Sequence, residues 1–295
     1  MLDWNDLRLA LALSDTGSLS RAAKKLGIHQ TTAGRRLDAL EQSLAVPLFV
    51  RTTRGLTITP SGKRLVELVR GVSDGLERLD RDKLEDPSSE RGVVRIGTTE
   101  TTALHILEHA MPELTRDMPG IVLELVTSNH PTDVLRGEVD LAVRLVKPEG
   151  ADLVARRLGV LAYGLYASAH YKKRHASHPY VKPFAKHEVC MPCLELERSP
   201  EGAWLRTEAT DARVTFRSNS MVSLARAGEL GHGLVVLPRT LAVDYPRLEQ
   251  IERVPHLVGR SVYLLGRRED EGLARIRKTA DIVARALRAY IARHA

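Results

Sequence analysis

The chain has 295 residues, of which 43% are hydrophobic and 27% charged, and it carries a net charge of +7. That length fills two or three domains with ordinary cores, and the basic balance tolerates an anionic partner without identifying one. No apolar stretch approaches the roughly 18 residues of a membrane span, and the two cysteines, Cys190 and Cys193, are too few for a disulfide framework.

Asp3, Asp6 and Arg8 interrupt the apolar opening of the chain, so it does not read as a secretory signal. The expected compartment is the cytoplasm, with no membrane partner. Trp4, Leu7 and Leu11 share one face of a first helix, which Gly17 stops. Ser20 is the expected N-cap of a second helix carrying Ala22, Ala23 and Leu26, and Gly27 suits the positive φ of a helix end. A third helix turns Ala33, Leu37 and Leu40 inward and leaves Gln30, Thr31, Thr32, Arg35 and Arg36 facing out.

The N-terminal end of such a helix enters the major groove of double-stranded DNA. There glutamine pairs with adenine and threonine meets a thymine methyl, while arginine reaches guanine edges or phosphates. Pro47-Leu48-Phe49 leads into Val50-Arg51-Thr52-Thr53-Arg54-Gly55-Leu56-Thr57-Ile58. Two short strands joined by a basic turn form a wing that lays Arg51, Thr53 and Arg54 along the DNA backbone. A helical protein-interaction domain is the competing reading of residues 1–58.

Thr59-Pro60-Ser61 opens a long helix, and Asp86-Pro87-Ser88-Ser89 ends it in a hinge, giving a linker over 59–91. Leu65, Leu68, Val69, Val72, Leu76 and Leu79 recur at spacings of three and four. This stripe either packs on its own domain or pairs with the same helix of a second subunit. A dimer places two recognition helices on two half-sites.

From Val93 the pattern changes to strands alternating with helices. Val93–Gly97, Ile121–Val126 and Leu141–Val143 read as strands, with helices through Ala110 to Arg116 and over Asp133–Arg136. Leu234–Leu237 and Ser261–Leu265 are further strands, and an amphipathic helix runs from about Leu273 to Ala292. The spacing predicts an α/β architecture built on a parallel sheet covered by helices.

Several motifs fall together in order: Gly17-Ser18-Leu19-Ser20-Arg21-Ala22-Ala23, Leu26, Arg35, Leu40-Glu41, Val46-Pro47-Leu48-Phe49-Val50-Arg51 and Thr59-Pro60-Ser61-Gly62. Downstream come Asp140-Leu141-Ala142-Val143-Arg144, Gly231-His232-Gly233 and Leu237-Pro238. With these the chain resembles the LysR-type transcriptional regulators. His29 and Thr31 stand where many members have serine and proline, and Gly34 replaces a frequent serine; these departures bear on the operator sequence.

The resemblance implies a winged helix-turn-helix, a long linker helix and a two-lobed effector domain like a periplasmic binding protein. It implies homodimers, often paired into homotetramers, and transcription control admits RNA polymerase as a further partner. The effector domain is expected over 92–295, with one lobe at about 92–162 and 266–295 and the other at about 163–265. The chain then crosses between lobes near Ala162 and near Gly266.

A small-molecule effector is expected in the cleft between the lobes. Thr98 to Thr102 and Thr127-Ser128-Asn129 each follow a strand, and Ser218-Asn219-Ser220 precedes a helix; the hydroxyls and free backbone N–H groups of Thr98 to Thr102 suit a carboxylate or another anion. The candidate contacts are Thr99, Glu100, Thr101, Ser128, Asn129, Arg144, Ser218 and Asn219, with Thr101 favoured by family position. Helix capping is the plainer role of the same residue types. Glu100 repels an anion or pairs with a cation, and Arg144 offsets it or forms a structural ion pair.

His187, Cys190 and Cys193 lack the fourth ligand of a structural zinc site; inert core thiols are expected, with redox sensing as the alternative. Gly231-His232-Gly233 precedes a strand rather than a helix, against a dinucleotide site. His105, His109 and His130 occur without a nucleophile motif, so no catalytic residue, metal or cofactor is assigned. The expected function is effector-modulated, sequence-specific DNA binding rather than enzymatic turnover. A ligand-binding module without DNA function is the alternative.

Overall fold

Leu9 and Leu13 of the first helix are fully buried, and the N-terminal domain is built outward from them. The computed structural model describes residues 2–52, 55–82, 86–129, 134–135, 137–148, 152–180, 184–251 and 259–294. The chain divides into two compact units, Met1–Glu85 and Asp86–Ala295.

In the first unit, α1 (Trp4–Thr16), α2 (Leu19–Leu26) and α3 (Gln30–Leu44) surround a core of Leu9, Leu13, Ala22, Ala33, Leu37, Leu40 and Leu48. The inward face of α1 is therefore centred on Leu9 and Leu13, and Trp4 and Leu11 are only half-buried at its margin. Gly17 and Gly27 end α1 and α2 at φ of 61° and 66°, the left-handed conformation that glycine adopts without a side-chain penalty. Ser18, not Ser20, is the N-cap of α2; Ser20 sits one residue inside the helix and faces outward.

The hairpin β1 (Phe49–Thr52) and β2 (Gly55–Ile58) follows, antiparallel. The Glu41 carboxylate accepts hydrogen bonds from the backbone N–H groups of Leu48 at 2.6 Å and Phe49 at 3.0 Å, which fixes where the wing leaves α3. Then comes α4 (Pro60–Asp82). Thr59 caps it: the hydroxyl donates to the Pro47 carbonyl at 2.7 Å and accepts from Gly62 N–H at 3.0 Å. A Cβ on Gly62 would lie 2.2 Å from the Leu48 carbonyl oxygen, so only glycine allows this junction. Thr-Pro-Ser-Gly is thus a helix start locked onto the wing.

The second unit comprises, in chain order, β3 (Gly92–Thr98), α5 (Glu100–His109), α6 (Met111–Asp117), β4 (Ile121–Thr127), β5 (Leu141–Arg144), β6 (Leu153–Leu161) and β7 (Tyr163–Ser168). There follow α7 (Ala169–Arg174), β8 (Glu188–Pro192), α8 (Pro200–Glu208), β9 (Arg213–Ser218), α9 (Met221–Glu229) and β10 (Val235–Pro238). The last elements are α10 (Arg239–Ala242), β11 (Leu248–Gln250), β12 (Arg260–Arg267) and α11 (Ala274–Arg293).

One sheet has the order β4-β3-β5-β12-β6. β3 runs parallel to β4 and β5, while β12 is antiparallel to β5 and β6. The second lobe repeats this plan. β8 and β9 are parallel, β7 is antiparallel to β10 and β11, and a parallel bridge between Val189 and Leu234 joins the two halves. The sheets are therefore mixed rather than wholly parallel. Each lobe is completed by strands from a chain that has crossed from its neighbour and re-enters in the opposite direction.

The first crossing lies at Ala162, between β6 and β7. The return lies before Arg260, not near Gly266, because all of β12 pairs within the first sheet. Val134 and Leu135 form a turn rather than a helix, with Asp133 and Arg136 outside the described residues. Among the described residues, no helix is long and apolar enough to cross a membrane.

Candidate functional site

Gln30, Thr31, Thr32 and Arg35 are exposed on the first turns of α3, while Ala33, Leu37 and Leu40 on its opposite face are buried. The helix period of 3.6 produces this division directly. Arg36 behaves differently: its Nε lies 3.9 Å from the Asp6 carboxylate of α1, so it closes the helix packing rather than standing with Arg35. Thr53 and Arg54 lie outside the described residues, as do the side chains of Arg51 and Leu79.

The stripe along α4 has two faces. Val69 is buried and Leu65 packs partly buried against the domain's own core, so these two belong to the fold of their own unit. Leu68, Val72 and Leu76 are 68%, 55% and 41% exposed, an apolar strip left uncovered within this unit. Asp15 of α1 ties the helices together through Lys25 at 2.9 Å and Arg70 at 3.2 Å. The Lys25 ammonium, with Arg70 adding to it, holds the Asp15 carboxyl below its usual range despite partial burial.

In the second unit a cleft of about 870 Å³ opens between the lobes. Thr99, Glu100, Thr101, Ser128, Asn129 and Arg144 line it, as the sequence led one to expect. Thr99 caps α5, accepting from the Thr102 N–H, and its hydroxyl lies 3.2 Å from that of Thr101. Arg144 donates to the Gly97 and Val143 carbonyls at 3.2 and 3.1 Å, and burial lowers its pKa.

Ser218 and Asn219 do not line the cleft. Ser218 accepts from the Ser220 N–H at 3.1 Å, and the Asn219 carbonyl accepts from the Asn129 side-chain amide. Asn219 thus makes an inter-lobe contact, whereas Ser218 is bonded within its own lobe, where β9 ends and the chain turns into α9.

The far wall holds residues that sequence reasoning missed. Arg260 of β12 pairs with Glu201 of α8 at 3.3 Å, with side chains only 16% and 2% exposed. Tyr163 adjoins the pair; burial and the Glu201 charge push its hydroxyl pKa far up. Exposed Lys147 and Arg198 and half-buried Glu195 add charges to the cleft lining. The pairing of Arg260 with Glu201 spans 59 residues, and no local motif announces it. The signal that was legible is a charged residue opening a strand otherwise made of Val262, Leu264 and Leu265.

Cys190 is fully buried on β8, and burial pushes its thiol up to about 11, leaving it protonated and unreactive at neutral pH. Cys193 is partly exposed and free.

Residues 4–63 match the family described as "Bacterial regulatory helix-turn-helix protein, lysR family", and residues 87–288 match "LysR substrate binding domain". An HTH-type transcriptional regulator of Xanthomonas campestris pv. campestris is 30% identical over 260 residues, 85% of this chain and 75% of that one. The uncharacterized HTH-type transcriptional regulator YhjC of Escherichia coli is 27% identical over 239 residues, 79% of each chain.

Among solved structures, CrgA, a LysR-type transcriptional regulator from Neisseria meningitidis, superposes with a TM-score of 0.59 at 22% identity, covering 97% of this chain and 99% of that one. ArgP from Mycobacterium tuberculosis gives 0.61 at 19% identity, covering 96% and 98%. With its helix-turn-helix, wing and two-lobed cleft domain, the chain belongs to the LysR family of DNA-binding transcriptional regulators with an effector-binding domain.

Proposed function

We propose that Gln30, Thr31, Thr32 and Arg35 read base edges in the major groove of double-stranded DNA, with Ser20, Arg51, Thr53 and Arg54 serving the phosphate backbone. The observation that carries this is the segregation on α3, where four polar or cationic side chains stand exposed opposite a fully packed face. Arg36 is held back by Asp6 and contributes less. The protein acts in the cytoplasm, on DNA, as a dimer or tetramer assembled in part through Leu68, Val72 and Leu76 of α4, with RNA polymerase as a further partner.

The cleft takes a small anionic or zwitterionic molecule. Its volume suits such a ligand, and the hydroxyl residues Thr99, Thr101 and Ser128 line it together with cationic Arg144, Lys147 and Arg198. The three acids of the lining, Glu201, Glu100 and Glu195, are engaged by Arg260, Ser220 and the Asn219 side-chain amide. The cleft is a binding site rather than a centre of turnover. Its occupant alters the DNA complex only by its difference in affinity for the two arrangements of the protein.

The test is to sequence genomic fragments retained by the purified protein and by a Gln30→Ala, Arg35→Ala double variant. A shared motif recovered with the wild type and lost with the variant supports the reading. The same motif recovered from both moves DNA recognition away from α3.

A further inference from the structure

The C-terminal half of α5 carries His105-Ile106-Leu107-Glu108-His109. Residues four apart lie on one face of a helix, so His105 and His109 stand side by side with Glu108 flanking them. One ligand atom from each of the three lies within 4.8 Å of the others, the one such group among the described residues.

His105 is buried, yet neither ring nitrogen has a hydrogen-bond partner among the described residues, and the His109 Nε2 is likewise without one. Buried polar atoms are nearly always paired, so two imidazoles left open at one place point to a missing partner.

The Tyr290 ring packs against both imidazoles, with ring centroids 4.5 Å from His105 and 4.2 Å from His109. His294, one turn beyond on α11, has its Nδ1 2.9 Å from the Tyr290 carbonyl oxygen. The Glu108 carboxylate offsets part of the charge of a divalent cation, which lowers the cost of holding an ion at a partly buried place.

We propose that His105, Glu108 and His109 bind a divalent transition-metal ion of the zinc class. Two histidines and one glutamate are a recognised open donor set for zinc, and imidazole with carboxylate favours zinc, cobalt and nickel over magnesium or calcium. Ligands of a tetrahedral centre with bonds of about 2.1 Å lie about 3.4 Å apart. Rotation of the exposed Glu108 carboxylate and the His109 ring, whose side chain is 31% exposed, closes the present spacing. The site lies on the same helix whose first turn lines the cleft. The inference stands independently of what the cleft binds.

The experiment uses the full, tag-free chain stripped of metal and titrated with Zn2+ by calorimetry and with Co2+ by visible absorption. One Zn2+ per chain is expected, with a Co2+ spectrum abolished by added Zn2+. His109→Ala and Glu108→Gln change exposed or half-exposed groups, so folding is retained and is checked by circular dichroism. Each variant is expected to lose at least about 10-fold in affinity, since even residues behind the ligands cost that much in metal sites. No saturable binding by the wild type overturns the proposal. Binding undiminished in both variants also overturns it and places the ion elsewhere, the histidines His175, His178 and His187 being the next group to examine.

Discussion

The Ser220 hydroxyl at the start of α9 donates a 2.8 Å hydrogen bond to the Glu100 carboxylate in the first turn of α5, linking the two lobes across 120 residues of sequence. Both residues open helices that face the cleft, and Ser220 also accepts from the Ser223 N–H at 3.1 Å as the cap of α9. The bond therefore occupies the one acid that would otherwise confront an anion arriving at Thr99 and Thr101.

Glu100→Gln keeps the shape of the side chain and removes its charge. In a thermal-shift screen of small carboxylates and amines, carboxylates that stabilise the wild type are expected to bind this variant about 5-fold more tightly, the equivalent of ~1 kcal/mol. Thr101→Val is expected to weaken the same compounds by ~1 kcal/mol through loss of one hydroxyl hydrogen bond, with DNA affinity unchanged. Amines that stabilise the wild type and lose affinity in Glu100→Gln would reverse the charge assigned to the effector.

Arg35 and Arg36 are adjacent but not equivalent. Arg35→Ala should weaken DNA binding and, if the contact is to phosphate, lower the dependence of log affinity on log salt by about 1 unit. Arg36→Ala breaks the 3.9 Å pairing with Asp6 and should leave that slope unchanged, with at most ~1 kcal/mol lost in stability. Salt titrations by fluorescence anisotropy measure both, and equal slopes for the two variants would remove the distinction.

The two faces of α4 give opposite outcomes on substitution. Leu68→Glu with Leu76→Glu places charge on the uncovered strip and should dissociate the assembly while each chain stays folded. Val69→Glu instead buries a carboxylate in the core of the winged domain, and unfolding of that domain by several kcal/mol is expected. Sedimentation velocity and circular dichroism distinguish them. A Leu68/Leu76 variant with an unchanged sedimentation coefficient would place the subunit contact elsewhere.

His187 gives the protein an acid sensitivity. Burial, with His175 and His178 nearby, holds its imidazole below the ordinary value even though its Nε2 lies 3.2 Å from the Pro179 carbonyl oxygen. The unfolded chain therefore takes up a proton near the ordinary histidine value of about 6.5 while the folded one does not. Stability rises with pH where the unfolded state binds more protons, so this contribution is complete above that value and declines below it. Urea midpoints measured from about pH 7.5 down to about pH 5.5 should fall less steeply for His187→Gln than for wild type. Parallel slopes would assign the acid sensitivity to other groups.

The sequence by itself determined whatever depends on spacing along one element. Helix periodicity set the buried face of α3 and the exposed turn that carries Gln30 and Arg35. Gly17 and Gly27 marked helix ends, and Thr59 to Gly62 the start of α4. It also brought Thr99, Glu100, Thr101, Ser128, Asn129 and Arg144 to one cleft, since helix starts and strand ends in such sheets share an edge.

Only the tertiary structure decided which of several compatible partners each residue met. Leu65 and Val69 followed the same period as Leu68 and Val72 yet turned to their own core. Arg36 matched Arg35 in type and was taken by Asp6. The strand Arg260–Arg267 joined the first lobe, and Arg260 found Glu201 in the second. Periodicity fixes the direction in which a side chain points. Which distant element waits there is set by the closure of the sheets, and that depends on the whole chain.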